Sequence, residues 1–150
     1  MSQAYQATAV AIGNRALMIE GASGSGKSSL ALALIDRGAV LIGDDSLMLE
    51  ASGGMLAARP HPNTRGLLEV RGLGLLEFPV CEGAPIALVL RLDVNAPRYV
   101  EAAGSAQLLG VSLPVLQLYP HDPVLHLKAE LALERFGLAD VSPSGRSTLP

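Results

Sequence analysis

The sequence predicts an α/β fold in which a mixed β-sheet carries helices on one side. Three observations predict it. First, Ala16-Leu17-Met18-Ile19, a Gly-rich run and a Leu/Ala-rich helix follow one another as a strand–loop–helix unit. Second, short strand candidates and hairpins outnumber helices, which does not suit a purely parallel sheet with regular strand–helix alternation. Third, the chain has 150 residues, 49% of them hydrophobic, which suits one domain with a sizeable core.

Ala7 to Ile12 and Arg15 to Ile19 are strands, and Gly13-Asn14 between them reads as a tight hairpin turn. Ser28 to Arg37 is a helix whose Leu and Ala residues run nearly all round, so burial on most sides is expected. Arg37 suits the negative end of its dipole and Gly38 a left-handed cap. Ala39 to Ile42 and Ser46 to Glu50 are strands, Ser52-Gly53-Gly54 is a turn, and Met55 to Ala58 returns as a strand. Arg59 to Asn63 is an irregular loop, with two Pro in five residues. Leu67 to Arg71 and Leu75 to Phe78 are short strands, Ile86 to Leu92 is a strong one, and Leu113 to Leu118 is another. Asp122-Pro123 has the form of an N-cap followed by proline at the first helical position, opening a helix to Phe136 with Gly137 as its cap. Residues 1–140 form the expected domain, and Val141 to Pro150, rich in Ser, Pro, Gly and Thr, a flexible tail.

Composition removes several function classes. A formal net charge of −3, scattered basic residues and 3% aromatics argue against a nucleic-acid surface. The longest dense apolar run, Ile86 to Leu90, is too short to cross a bilayer, and the N-terminus lacks a secretory pattern. The single Cys81 excludes an internal disulfide and fits a reducing compartment. A cytoplasmic protein without nucleic-acid or membrane partners is expected. His61, His121 and His126 show no metal-ligand spacing and read as structural or surface residues.

Gly21-Ala22-Ser23-Gly24-Ser25-Gly26-Lys27-Ser28 fits the phosphate-binding loop pattern of Gly, four free residues, Gly, Lys and Ser or Thr. The glycines let successive N–H groups point into one concavity, and the following helix adds its positive end. Lys27 places a mobile charge near the outer phosphates of a nucleotide, and the Ser28 hydroxyl can ligate Mg²⁺. Phosphoryl transfer also needs a group that positions the nucleophile or takes its proton. Asp44-Asp45 ends the strand after the loop helix, where the carboxyl ends of α/β strands face the ligand crevice. Alternation along a strand means that both carboxylates need not face the phosphate, and an acidic turn or cap is the plainer alternative. Leu68-Glu69-Val70-Arg71-Gly72-Leu73-Gly74-Leu75-Leu76 is the second dense feature. Alone, it also reads as a solvated ion pair with two turn glycines.

Together these blocks resemble the catalytic domain of the HPr kinase/phosphorylase family, which phosphorylates a serine of the phosphocarrier HPr. Loop Gly21 to Ser28, segment Arg37-Gly38 through Asp44-Asp45, and Leu68 to Leu76 stand in the family's order, over roughly residues 5 to 118. The resemblance implies a mixed, partly barrel-like sheet with helices on one side, related to phosphoenolpyruvate carboxykinase. It implies ATP and Mg²⁺ as cofactors and HPr or an HPr-like protein as partner. By position, Lys27 resembles the phosphate-binding lysine, Ser28 and Glu69 the Mg²⁺ ligands, Asp45 the catalytic base and Asp44 its acidic neighbour. Arg98, in Pro97-Arg98-Tyr99, falls where the family has a functional arginine. A symmetric oligomer is also implied.

The chain departs from the family pattern in three places. The hairpin begins almost at Met1, like the short single-domain form found in some proteobacteria. The family's histidine upstream of the loop falls on Gln6. After Leu113-Pro114 the family's Gly-Arg-Asn segment is replaced by Gln117-Leu118-Tyr119-Pro120-His121-Asp122. These departures speak for kinase activity without the phosphorylase half. Two rival readings are a nucleotide-binding regulator without transferase activity and a small-molecule P-loop kinase.

Overall fold

The structure, a computed structural model, describes residues 2–140; the tail expected at 141–150 lies outside them. Among the described residues the chain forms eleven strands and two helices. They run β1 (Ser2–Tyr5), β2 (Thr8–Ile12), β3 (Arg15–Gly21), α1 (Lys27–Asp36), β4 (Val40–Gly43), β5 (Leu47–Ser52) and β6 (Met55–Pro60). Then come β7 (Leu67–Val70), β8 (Gly74–Glu77), β9 (Ala84–Leu92), β10 (Gly104–Leu108), β11 (Val111–Leu118) and α2 (Leu125–Phe136).

Nine strands make one curled sheet in the order β1-β5-β6-β9-β3-β2-β4, and β11 with its partner β10 joins it at β9. The sheet is mixed. β9 runs parallel to β3 and β11, and antiparallel to β6. Its start pairs with β6 and its end with β11, so the sheet splits at β9 and curls into a half-barrel. β7 and β8 form a separate hairpin.

Alternation along β3 divides the core in two. Leu17 and Ile19 point to the face covered by Leu30, Ala31 and Leu34 of α1 and by Leu125, Ala129, Ala132 and Leu133 of α2. Ala16 and Met18 point into the curl, against Leu47, Leu49, Leu56, Val111 and Leu113. Both helices pack on the same outer face, as the sequence predicts. Helix α1 is less enclosed than expected: Leu32, Ala33 and Ile35 are only half-buried.

Local chemistry accounts for the ends. Gly13 turns the β2–β3 hairpin with φ +63°, and Gly38, φ +108°, closes α1 by donating to Ile35 O at 3.0 Å. Helix α2 starts later than its proline suggests. Asp122 Oδ1 accepts the Val124 N–H at 2.9 Å in a preceding turn, and the helix proper opens at Leu125. Gly137 ends α2 in an extended conformation, φ −71°, not as a left-handed cap. A Cβ there would sit 2.5 Å from Leu133 O, so close approach explains the glycine. The edge strands β1 and β10 were not expected from the sequence. No helix among the described residues is long and apolar enough to cross a membrane.

Candidate active site

Strand direction gathers the site. β3 and β4 both lie antiparallel to β2, so their carboxyl ends emerge on the same side as the start of β2. The phosphate-binding loop leaves the end of β3, Asp44-Asp45 leaves the end of β4, and Thr8 opens β2. Leu68, fully buried among Leu30 and Leu34 of α1, pins β7 beside them. Alternation then turns Glu69 and Arg71 outward, toward the loop.

A cleft of about 360 Å³ results, lined by Gly24, Lys27, Ser28, Asp44, Asp45, Glu69, Arg71 and Gly72 among others. Gly24 and Gly26 take φ +78° and +103°, the left-handed geometry that makes the loop curl ahead of α1. Gly21 has another reason to be glycine, since a Cβ there would lie 2.5 Å from Ser25 Oγ. Lys27 Nζ is held over the loop by Gly21 O at 2.9 Å and Ala22 O at 3.1 Å. Helix α1 opens at Lys27, so its first free N–H groups face the same cleft.

Asp44 is the hub. Its Oδ1 accepts from Ser28 Oγ at 2.7 Å and from Thr8 Oγ1 at 2.9 Å, and its Oδ2 accepts the Glu69 N–H at 3.0 Å. One carboxylate thus ties the loop helix, the first core strand and the β7 segment together. Asp45 is exposed, with φ +61°, a left-handed backbone rare for a residue with a side chain. Its N–H donates to Thr8 Oγ1 at 3.1 Å, and Gln6 Nε2 lies 3.5 Å from its Oδ1, at the outer limit of a hydrogen bond. Both carboxylates line the cleft. The expectation from strand alternation does not apply, because β4 ends at Gly43 and the pair sits in the turn beyond it.

A second cleft of about 380 Å³ adjoins the first and shares Ser23, Lys27 and Asp45 with it; Tyr5, Gln6, Glu20 and Gly21 complete its lining. Glu20 accepts hydrogen bonds from Tyr5 Oη and, at 2.9 Å, from Arg91 Nε. Burial first, then the hydrogen bond and charge of Glu20, push the Tyr5 phenol up to about 12.

The structure brings together the loop Gly21 to Ser28, Asp44, Asp45 and Glu69, and leaves Arg98 out. Arg98 is exposed and lines a groove against α2 with Leu118, Lys128, Leu131 and Phe136. The reason is local. Asp93 N–H donates to Leu118 O at 3.0 Å and Asp93 accepts from Asn95 and Ala96, which directs the loop after β9 toward β11 and α2. Thr8 is the residue that sequence reasoning missed. Its signal was a hydroxyl within the otherwise apolar run Ala7 to Ile12.

A family model described as the HPr Serine kinase C-terminal domain matches residues 1–88. The chain belongs to this family. The match takes in the loop, the acidic pair and the Leu68 to Leu76 block. Among relatives, the HPr kinase/phosphorylase of Mycoplasma mycoides subsp. mycoides SC is 30% identical over 116 residues, covering 68% of this chain and 37% of that protein. That of Chlorobium chlorochromatii is 32% identical over 130 residues, covering 77% and 39%. The chain therefore spans about two fifths of the length of these relatives. The solved structure titled Hpr(Ser) kinase/phosphatase from Coxiella burnetii superposes with a TM-score of 0.78 at 24% identity, covering 88% of this chain and 94% of that one. The half-barrel with its two helices is thus the fold of the HPr kinase catalytic domain.

Proposed function

We propose that this domain is an ATP- and Mg²⁺-dependent protein serine kinase acting on HPr or an HPr-like protein. The observation that carries the reading is the convergence of the loop, Asp44-Asp45 and Glu69 on one cleft, with Asp45 reaching a second cleft beside it. Backbone N–H groups of the loop and Lys27 would hold the β- and γ-phosphates.

The donor set fits Mg²⁺. Ser28, Asp44 and Glu69 offer hard oxygen atoms, and few carboxylates plus substrate phosphates is the usual way this ion is bound. Three carboxylates against Lys27 and Arg71 also leave the cleft acidic, so a polyanionic nucleotide needs a cation to enter it. Ser28 and Glu69 would hold the ion, with Asp44 orienting the Ser28 hydroxyl. Bound there, it would neutralise charge on the β- and γ-phosphate oxygens.

The acceptor serine would approach from the second cleft. Asp45 takes the proton of its hydroxyl, the serine oxygen bonds to the γ-phosphorus, the bond from γ-phosphorus to the bridging oxygen breaks, and ADP leaves. Arg98 is given no part in this step.

One observation favours a second reading. The side chain within hydrogen-bonding reach of the Asp45 carboxylate is the Gln6 amide, at 3.5 Å, which does not titrate near neutral pH, so a nucleotide-binding regulator without transferase activity is the alternative. γ-Labelled ATP, Mg²⁺ and purified HPr separate the two. Labelled phosphoserine on HPr supports the kinase; ATP binding without any labelled product supports the regulator.

A further inference from the structure

We propose that Thr8 is the positioning residue that sets the orientation of the acidic pair; the inference rests on reading this cleft as a phosphoryl-transfer site. Thr8 is fully buried, and it is the one buried polar residue among the described residues. A hydroxyl has one proton to give and two lone pairs to receive with. Here the proton goes to Asp44 Oδ1 at 2.9 Å and a lone pair receives the Asp45 N–H at 3.1 Å. One side chain on β2 therefore fixes a carboxylate oxygen of Asp44 and the peptide plane that leads into Asp45.

That plane matters because Asp45 holds φ +61° without being a glycine. Such a conformation persists where the surroundings over-determine it. The side-chain contact on Asp45 is the 3.5 Å approach of Gln6, too long to hold the turn. On the other side, Ser28 and Glu69 also grip Asp44, but neither bonds to Asp45. Thr8 is thus the link between the residue that organises the loop and the residue that faces both clefts.

A buried strand threonine could also serve packing alone, and valine separates the roles, having nearly the same shape and no hydroxyl. In Thr8→Val, amide hydrogen exchange at Asp45 should quicken by about tenfold or more, since its acceptor is gone. The turnover number for serine phosphorylation should fall by about 10- to 100-fold, as small misplacements of reacting groups do, with KM for ATP within about threefold. Thr8→Ser keeps the hydroxyl and should restore both exchange and turnover; Thr8→Ala, which loses hydroxyl and methyl, replaces the valine variant in the comparison if that one does not fold. Unchanged Asp45 exchange in Thr8→Val overturns the proposal. So does a serine variant as impaired as valine or alanine, or an equal loss of ATP affinity and turnover. If the wild-type protein transfers no phosphate, the kinase reading fails on its own, and the exchange comparison still decides whether Thr8 holds the turn.

Discussion

Removing the Asp44 carboxylate should loosen the domain as well as the site. In Asp44→Ala three donors lose their acceptor: Thr8 Oγ1, Ser28 Oγ and the Glu69 N–H. The losses are unequal. Ser28 and Glu69 border the cleft, where water can replace the carboxylate, whereas Thr8 is fully buried. A buried donor left unpaired costs about 1–3 kcal/mol. With partial losses at the two cleft donors, the total is about 2–3 kcal/mol, or roughly 5–10 °C of melting temperature for a domain this size. Asp44→Asn makes a sharper control. Its carbonyl oxygen still serves Thr8 and Ser28, but its NH₂ meets the Glu69 N–H donor to donor, and water can relieve that clash, so about 1 kcal/mol is expected. Urea unfolding followed by circular dichroism reads both variants, with equal slopes required for a comparison of midpoints. An alanine variant within about 0.5 kcal/mol of wild type, the range of ordinary surface substitutions, would refute the hub assignment.

Lys27→Ala should weaken Mg²⁺–ATP binding by tenfold or more on the order-of-magnitude scale of a lost charge–phosphate contact, and calorimetric titration with equal affinities would contradict it. Asp45→Asn should abolish serine phosphorylation while ATP binding survives, whereas Glu69→Gln should raise the Mg²⁺ concentration needed for half-maximal rate; near-normal turnover in Asp45→Asn would shift the base to Asp44. Gln6→His should raise the forward rate and add an ionisation near neutral pH to the rate profile, and an unaltered profile would count against a proton-handling role at that position. Tyr5 gives a pH prediction. Its folded pKa, about 12, lies above the ordinary tyrosine value of 10.0, so the fold favours the protonated phenol. That contribution is complete below pH 10 and is lost as pH rises from 10 to 12. The absorbance difference between wild type and Tyr5→Phe should show a phenolate midpoint that Glu20→Gln lowers; a midpoint indifferent to Glu20 would sink the account.

How much of this was readable in the sequence depends on how local the cause is. The β2–β3 turn, the phosphate-binding loop and α1 follow from residues within a few positions of one another, and they fall where spacing puts them. Strands β1 and β10, Ser2–Tyr5 and Gly104–Leu108, were not readable. They carry few buried residues, and edge strands of this kind are held by hydrogen bonds to a partner, here β5 and β11, not by an apolar pattern of their own. The split of the sheet at β9 was hidden for a related reason. Ile86 to Leu92 announces a buried strand, but β6, β3 and β11 compete for its edges along different stretches, and only the assembled chain decides the shares. Arg98 was placed by position alone, and its location in the groove against α2 was not legible because the Asp93 contacts that steer its loop are independent of the motif blocks.

The acidic pair shows why a motif can be found before its workings. Two adjacent aspartates look equivalent in sequence, and strand alternation would send one of them away from the cleft. The chain avoids that by ending β4 at Gly43, where a Cβ would lie 2.6 Å from Ser46 O, so the backbone can double back immediately. Asp44 then turns inward to three donors on three different elements, and a carboxylate so fully engaged is fitted to hold parts in place. Asp45, one residue on, is carried by its left-handed φ to an exposed position bordering both clefts. Under the proposed kinase reading the proton acceptor needs open lone pairs and access to the incoming hydroxyl, and Asp45, exposed and bordering both clefts, offers more of each than Asp44, which three donors already engage. On that reading the division of labour between neighbours comes from one backbone angle, φ +61° at Asp45, whose N–H donates to the hydroxyl of a threonine thirty-odd residues earlier in the chain.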